Sequence, residues 1–448
     1  MNRLFIVLPL FALLFLGFIA GAAVISFKVY PYEELRKAFL AAEALTTQRR
    51  KQESITDLLI GAKPVSPEDY SSPAARNSAE GVTRHQSEQA YAGYTMYTSI
   101  RSHAPIPLID MDGKVVHEWH IPAQELRGER EDGHTLPEYP LSVTYPYLFP
   151  NGDMIMVLTM AWQTPWGFGI VKVDKDSNLI WKFLKRAHHS ISVAPDGTIY
   201  ALLHSIRSTP WPGLENITTP FVEDTVVVLS PEGEELKSVS VLKAIQDSPW
   251  QSLLMHANPT NVRGDLLHVN AVTYIDTEAA SRLPMADAGQ LLISMRNLDV
   301  IAILDLESAQ ITWAARGAWT MQHDPDLLDN GNLLIFDNRG DLQRGGGSRI
   351  IEVDPATLGI VWEYPGDSGE QLYTSVYGSE QVLPNGNILI TESNNGRLLE
   401  VTRDREIVWE HFVRERNTRA NGKVIAQALW ATRFAADELE FEFNTSLR

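Results

Sequence analysis

Short apolar runs separated by tight turns recur along this chain, and the recurrence limits its fold more than any other feature. One unit is an apolar strand closing on Asp or a similar residue, a turn, and a second strand. It appears as LIDMDGKVVHEW (108–119), IVKVDKDSNLIW (170–181), VVVLSPEGEELK (226–237), IAILDLESAQITW (301–313), IIEVDPATLGIVW (350–362) and LLEVTRDREIVW (398–409). A second unit is a turn followed by a strand: PNGDMIMVL (150–158), PDGTIYALL (195–203), AGQLLISMR (288–296), DNGNLLIFD (329–337) and PNGNILITE (384–392), with YTMYTSI (94–100) as a turnless sixth. The two units interleave, so each repeat holds four short strands over roughly 50 to 60 residues, a length and content that predict one blade of a β-propeller.

The ends of the repeat region indicate how the ring closes. Residues 94–119 supply three strands of a blade, and VIAQALWATRF (424–434) reads as a first strand without successors. Joining them completes a sixth blade and removes the sheet edges that an open array would expose. The expectation is an all-β, six-bladed β-propeller over 91–436, followed by a C-terminal tail, 437–448. Five of the six Asp-turn units end in Trp, and a large ring there suits a wedge between neighbouring blades. Insertions near His204, with Ser208 to Gly213, and around Pro249 account for uneven repeat spacing.

Before the repeats, Leu4 to Phe27 contains no charged residue, and about 20 apolar residues suffice for a helix to span a bilayer. Residues 1–28 are therefore expected to be a transmembrane helix kept as an anchor. Residues 29–60, rich in Ala, Leu, Glu, Lys and Arg, predict a juxtamembrane helix, either a spacer or a helix that pairs with a copy of itself into a homo-oligomer. Residues 61–90 turn to Pro, Ser, Ala and Asn and read as a linker. The charge flanking the span, Lys28, Arg36 and Lys37 against Arg3, would by itself place the domain in the cytoplasm.

A balance of 38 basic and 56 acidic side chains gives a net charge of −18, which argues against nucleic acid as a partner. An anionic substrate would need a local cluster of donors. The chain has no cysteine, so disulfides, thiolate metal sites and cysteine nucleophiles are all excluded.

In a propeller the first strand of each blade lines the central channel. Here those strands are AHHSISV (187–193), DLLHVNAVTYI (265–275), MQHDPDLL (321–328) and YGSEQVL (377–383). His189 and His323 stand at the same offset before Gly197 and Gly331, and His268 heads the corresponding strand of another blade. Asn270 lies two residues after His268 on the same strand face, and Arg296 ends the next strand of that blade. Alternation points Asp324 away from the face that His323 occupies. One histidine in one repeat is ordinarily a satisfied core or turn residue; three in matching positions point to function. Neutral imidazoles serve as nucleophile, acid or base near neutral pH, and Arg296 and Asn270 offer donors to an oxyanion without a metal. The group suits transfer of an anionic moiety through a histidine adduct.

The run MQHDPDLLDNGNLLIFDN, with LLHVNAV and LLISMRNLDVIAILD before it and SRIIEVDPATLGIVWEY, GSEQVLPNGNILITES and GRLLEVTRDREIVWE after it, resembles the arylsulfate sulfotransferase family from about Gly93 to Trp430. The resemblance implies a sulfuryl group moved from an aryl sulfate ester donor to a phenolic acceptor, with no nucleotide donor and no cofactor. It assigns the transiently sulfated histidine to His323, the family's His-x-Asn pair to His268 and Asn270, its arginine to Arg296, and its earlier histidine to His189 or the neighbouring His188. A second His-x-Asn, His256 to Asn258, competes for the pair. In these roles His323 attacks sulfur, Arg296, Asn270 and His268 hold the sulfate oxygens, and His189 or His268 protonates the departing phenolate. The resemblance also implies the bacterial periplasm, so the propeller is expected there, tethered to the inner membrane by residues 1–28. Two other readings stay open: a tethered binding or scaffold propeller without turnover, and a metalloenzyme in which the three histidines bind zinc or iron.

Overall fold

The computed structural model describes residues 79–101, 103–126, 141–160, 167–214, 217, 219–256, 264–341, 347–367, 370–419 and 422–444. The expected anchor and juxtamembrane helix, 1–60, lie outside the described residues. Among those described, no helix is long and apolar enough to cross a membrane.

Six antiparallel sheets carry the fold. Blade 1 joins Ala428–Phe434 to Tyr94–Ser99, Ile106–Ile109 and Val115–Trp119. Blade 2 holds Leu141–Leu148, Met154–Met160, Gly167–Val173 and Leu179–Phe183, and blade 3 holds Ala187–Val193, Ile199–Arg207, Phe221–Leu229 and Glu235–Ser240. Blade 4 is built from Val269–Tyr274, Leu291–Met295, Val300–Asp305 and Gln310–Ala315, and blade 5 from His323–Leu327, Leu333–Asp341, Gly347–Asp354 and Gly359–Tyr364. Blade 6 runs Ser379–Val382, Ile388–Glu392, Arg397–Val401 and Ile407–Phe412. The first strands neighbour one another in cyclic order, from blade 2 through blade 6 to Ala428–Phe434 and back to blade 2. The ring therefore closes as the sequence predicts, through the ladder that pairs Tyr94 with Phe434 and Thr98 with Trp430.

Alternating side chains explain why the ring is stable. In Met154–Met160, Met154, Met156 and Leu158 enter a core shared with blade 1, whereas Ile155 and Val157 enter a core shared with blade 3. Both faces of such a strand are buried, so it reads as a continuous apolar run rather than a polar–apolar alternation. Every one of the six blade-to-blade junctions holds a hydrophobic cluster of this kind. The turns between first and second strands need glycine: Gly331 sits at φ +83°, and a Cβ there would stand 2.8 Å from the Arg282 carbonyl oxygen.

The terminal tryptophans also tie blades together. The indole N–H of Trp119 donates to the Gly152 carbonyl, Trp181 to Pro231, Trp362 to Arg403 and Trp409 to Met111, each on the following blade. The expected wedge thus carries a directional bond as well as bulk.

Three expectations change. Within the stretch read as a linker, 61–90, the segment Gly81–His85 is a strand paired with Ile407–Phe412, making blade 6 five-stranded. Its few apolar residues hide it from periodicity because it is a half-exposed edge strand. Within the tail, 437–448, Leu439, Phe441 and Phe443 pack on the blade 1–2 core, Phe441 lying edge-on to His117 at 5.2 Å. The insertion around Pro249 begins with a short α-helix, Val241–Gln246, whose Gln246 side chain accepts from the indole of buried Trp211 at 2.7 Å, and a second short α-helix, Thr277–Arg282, lies in the long turn between the first two strands of blade 4.

Candidate active site

All six blades meet at a recess enclosing about 340 Å³ of space open to solvent. Its lining follows from breaks in the strand ladders. Register shifts pass over Thr144, His189 and Ser190, Asn270, Asp324 and Leu429, and each of these side chains lines the recess. A bulge gives one strand an extra residue and re-aims its side chain, so bulges in five of the six innermost strands build the lining. His323, Tyr377, Gly378 and Trp430 complete it. His189 and Asp324 adopt left-handed φ values of 56° and 46°, an uncommon conformation for residues with a Cβ that clusters at functional sites. By ring order, blades 3 to 5 give a polar side with His189, Asn270 and His323, and blades 6 and 1 face it with Tyr377, Leu429 and Trp430.

His323 is buried, and its ring orientation is set by Asn338. The amide nitrogen of Asn338 donates to the carbonyls of Thr374 and Tyr377, both at 2.8 Å. Its oxygen must therefore face the His323 Nδ1, 2.7 Å away. An amide oxygen can only accept, so Nδ1 carries the hydrogen and Nε2 keeps its lone pair. Burial, then the positive charge of Arg296, push the His323 pKa down to about 3. The ring is thus neutral at physiological pH, with its lone pair on Nε2.

Two of the remaining sequence-chosen residues line the recess and two stand behind it. His189 is in the lining; its ring meets His268 edge-on at 4.9 Å, and burial, followed by the neighbouring charges of His268 and His188, holds its pKa well below the ordinary histidine value. His188 turns away, with its Nδ1 2.7 Å from that of His189 and its ring stacked on His204 at 4.3 Å. His268 points Nδ1 at the Asp265 carboxylate, 2.5 Å away. Burial pushes that carboxyl up, but the charge and hydrogen bond of His268, with Arg296, outweigh it and leave its pKa below the usual value. Asn270 also lines the recess; one of its N–H groups donates to the Gln322 carbonyl at 2.8 Å, so it can give a substrate oxygen one N–H at most. Arg296 stands one residue beyond the second strand of blade 4, at the head of a single 3-10 turn, its guanidinium donating to Asn297 Oδ1 at 3.1 Å. The competing His256 ends a 3-10 turn, Gln251–His256, outside the first strands; Asn258 lies outside the described residues.

Bulges in blades 3 and 5 overturn two expectations. Alternation placed Asp324 away from His323, yet both line the recess, because the bulge between His323 and Asp326 resets the alternation. Equal spacing from the turn glycine equated His189 with His323, but the ladder pairs His188 with Leu202 and His323 with Phe336, each the fourth residue of its second strand. Two residues bulge in blade 3, which shifts the count.

Asn338 was missed, although a repeat alignment could have found it. Counting from Leu291 and Leu333, the paired starts of the second strands, Asn338 occupies in blade 5 the position of Arg296 in blade 4. The metal reading is answered by different residues: among the described residues, one group of potential ligands is His188, His204 and Asp224, all buried and with ligand atoms within 4.8 Å of one another. The His188 and His204 rings lie 18° from parallel. Their in-plane lone pairs do not converge, so this arrangement does not fit the tetrahedral geometry of a zinc site.

The model of the arylsulfotransferase (ASST) family matches residues 146–414 of this chain. No match is found among curated protein sequences. Similar solved structures include a protein of unknown function from Bacteroides caccae, at 12 % identity over 72 % of this chain and 94 % of that one, TM-score 0.46. They also include the WD40 β-propeller domain of Doa1, at 11 % over 78 % and 99 %, TM-score 0.40. A streptogramin B lyase is similar at 11 % over 80 % and 94 %, TM-score 0.40.

Proposed function

Because the chain belongs to the arylsulfotransferase family, we propose that it moves a sulfuryl group from an aryl sulfate ester to a phenol by a ping-pong mechanism, through a sulfohistidine at His323. The observation that carries this reading is the Asn338 amide, which leaves the Nε2 lone pair of a neutral, buried imidazole available to the recess. In the first half-reaction Nε2 bonds to sulfur and the bond from sulfur to the aryl oxygen breaks. As the ring becomes cationic, its Nδ1–H bond to Asn338 strengthens, which favours the transition state over the ground state. The Arg296 charge and one Asn270 N–H serve the sulfuryl oxygens, and the Arg296 charge offsets the field of a chain at −18. Leu429, Trp430 and Tyr377 offer the aryl ring an apolar and aromatic face. In the second half-reaction the acceptor oxygen takes the sulfuryl group from Nε2. We place the propeller in the periplasm, held at the inner membrane by residues 1–28; protease protection in intact spheroplasts tests this, since a cytoplasmic domain would survive digestion.

Brief exposure to p-nitrophenyl sulfate without acceptor should add about 80 Da, one sulfuryl group, to the peptide that contains His323. Phenolate release beyond one equivalent per site should then depend on a phenol acceptor, and all release should vanish in His323→Ala. Turnover without acceptor would indicate a sulfatase, modification of another residue would displace His323, and no reaction would favour a binding propeller.

A further inference from the structure

Of the two histidines expected to protonate the departing phenolate, His268 is not in the recess lining. The aryl oxygen of a poor leaving group must gain a proton as it departs, and the acceptor phenol must lose one. His189 lines the recess, but burial beside His268 and His188 keeps its ring unprotonated at neutral pH.

A different group stands at the same recess. Asp324 lines it beside His323, turned inward by its left-handed backbone. One carboxyl oxygen accepts the backbone N–H of Glu380 at 3.2 Å. Glu380 itself, on the first strand of blade 6, is 3 % exposed, and among the described residues no side chain donates a hydrogen bond to its carboxyl oxygens. Asp326 follows two residues along the strand of Asp324, and Tyr145 approaches this group from blade 2. None of the three carboxyls forms an ion pair with a cation among the described residues. Three ionised carboxylates so placed would repel one another without compensation, so the group holds protons.

From this geometry we infer that Asp324, with Glu380 and Asp326 behind it, is the acid and base that exchanges a proton with the aryl oxygen. This rests on the sulfohistidine reading and adds the proton to it. In the first half-reaction, N–S bond formation at His323 accompanies cleavage of the sulfur–oxygen bond; the aryl oxygen takes the carboxyl proton of Asp324, leaving a neutral phenol and an ionised Asp324. In the second, the acceptor hydroxyl returns its proton to Asp324 while its oxygen takes the sulfuryl group and the N–S bond breaks. No proton is gained or lost over the cycle. The energetics agree in direction: burial, then the charge of Asp326, raise the Asp324 pKa well above the carboxylate range, and burial pushes Asp326 up to about 7. Glu380 is raised by burial and then by Asp324. A carboxyl that keeps its proton at neutral pH can give that proton to a departing oxygen and take one back from an entering hydroxyl.

The test compares two donors in single-turnover experiments on the full chain. p-Nitrophenolate leaves readily without a proton, whereas unsubstituted phenolate needs one. Asp324→Asn keeps the shape of the protonated carboxyl without an exchangeable acid, so its rate with phenyl sulfate should fall at least about 30-fold further than its rate with p-nitrophenyl sulfate. Equal losses with both donors, or no loss, would overturn the assignment. If Asp324→Asn fails to fold, the wild-type protein still decides. Its phenyl sulfate half-reaction should fall as rising pH takes the proton from Asp324, while the p-nitrophenyl sulfate half-reaction stays level, with His323, His189, Tyr145, Tyr377, Asp326 and Glu380 the titratable groups around Asp324. A parallel pH dependence for the two donors would refute it. The 80 Da label on His323 is read in the same samples, so absence of label marks failure of the sulfohistidine reading, and label with no donor discrimination marks failure of this one.

Discussion

Replacing Asn338 with alanine separates the tautomer argument from simple proximity. The side chain is fully buried and makes three hydrogen bonds: from the His323 Nδ1–H and to the Thr374 and Tyr377 carbonyls. At a net ~1 kcal/mol each, their loss costs about 3 kcal/mol of stability. For about 350 ordered residues, an unfolding entropy of roughly 0.7 kcal/mol/K converts this to a fall in Tm of about 4 °C. The space vacated fits a water, which bonds the two carbonyls and can present either a donor or an acceptor to Nδ1. The ring is then free to place its hydrogen on Nε2, the atom proposed to attack sulfur. Losing a bond that strengthens as the ring becomes cationic costs about 1.5–3 kcal/mol in the transition state, a roughly 10- to 150-fold slower burst. The assay is stopped-flow release of p-nitrophenolate in the first turnover, with Tm measured on the same sample. KM should hardly move, because Asn338 is not among the residues lining the recess. A variant that shows the Tm loss yet releases phenolate at the wild-type burst rate would refute the assignment of Nε2 by Asn338.

Two further outcomes follow from burial and ring contacts. Asp326 has a folded pKa raised to about 7 from an ordinary 3.8, so its stability contribution is full below pH 3.8 and is lost as pH rises through 7; Asp326→Asn should therefore raise Tm more at pH 8 than at pH 5, and an equal or opposite change counts against a proton-holding carboxyl. Trp409→Phe removes the bond to the Met111 carbonyl from a fully buried ring that also lies under Arg433, 4.4 Å from its centroid, and should lower Tm by about 3 °C from a loss of about 2 kcal/mol. The half-exposed Trp181, bonded to Pro231, should lose less than half as much on the same change; equal losses would mean that the tryptophans stabilise through bulk alone.

Much of the architecture can be read from the sequence because it follows from local periodicity. The turn glycines, the Trp-terminated strands and the lone strand at 424–434 each announce a blade or part of one. The site is legible only in part. His323 and Asn270 are recognisable as polar residues in strands that should be apolar, and both line the recess. The lining itself is not readable, since it depends on which residues the ladder skips, and a bulge leaves no fixed mark in a sequence. Asp324 is the clear case: strand alternation is a sound rule, and one bulge inverts its answer. Asn338 sits in plain view at the end of LLIFDN, but its importance comes from two carbonyls more than 35 residues away, of Thr374 and Tyr377. His188 and His189 differ in role by a single step of the ladder, which no spacing rule resolves.

The strand that closes the ring has a consequence in time. Ala428–Phe434 is the inner strand of blade 1, and two of its residues, Leu429 and Trp430, also form part of the recess wall. Synthesis proceeds from the N-terminus, so every other blade can assemble while this wall is still missing. A growing chain holds His323 and Arg296 long before it can enclose a substrate. The recess wall is therefore completed only when Ala428–Phe434 pairs with Tyr94–Ser99, which joins residues from the two ends of the propeller into one blade.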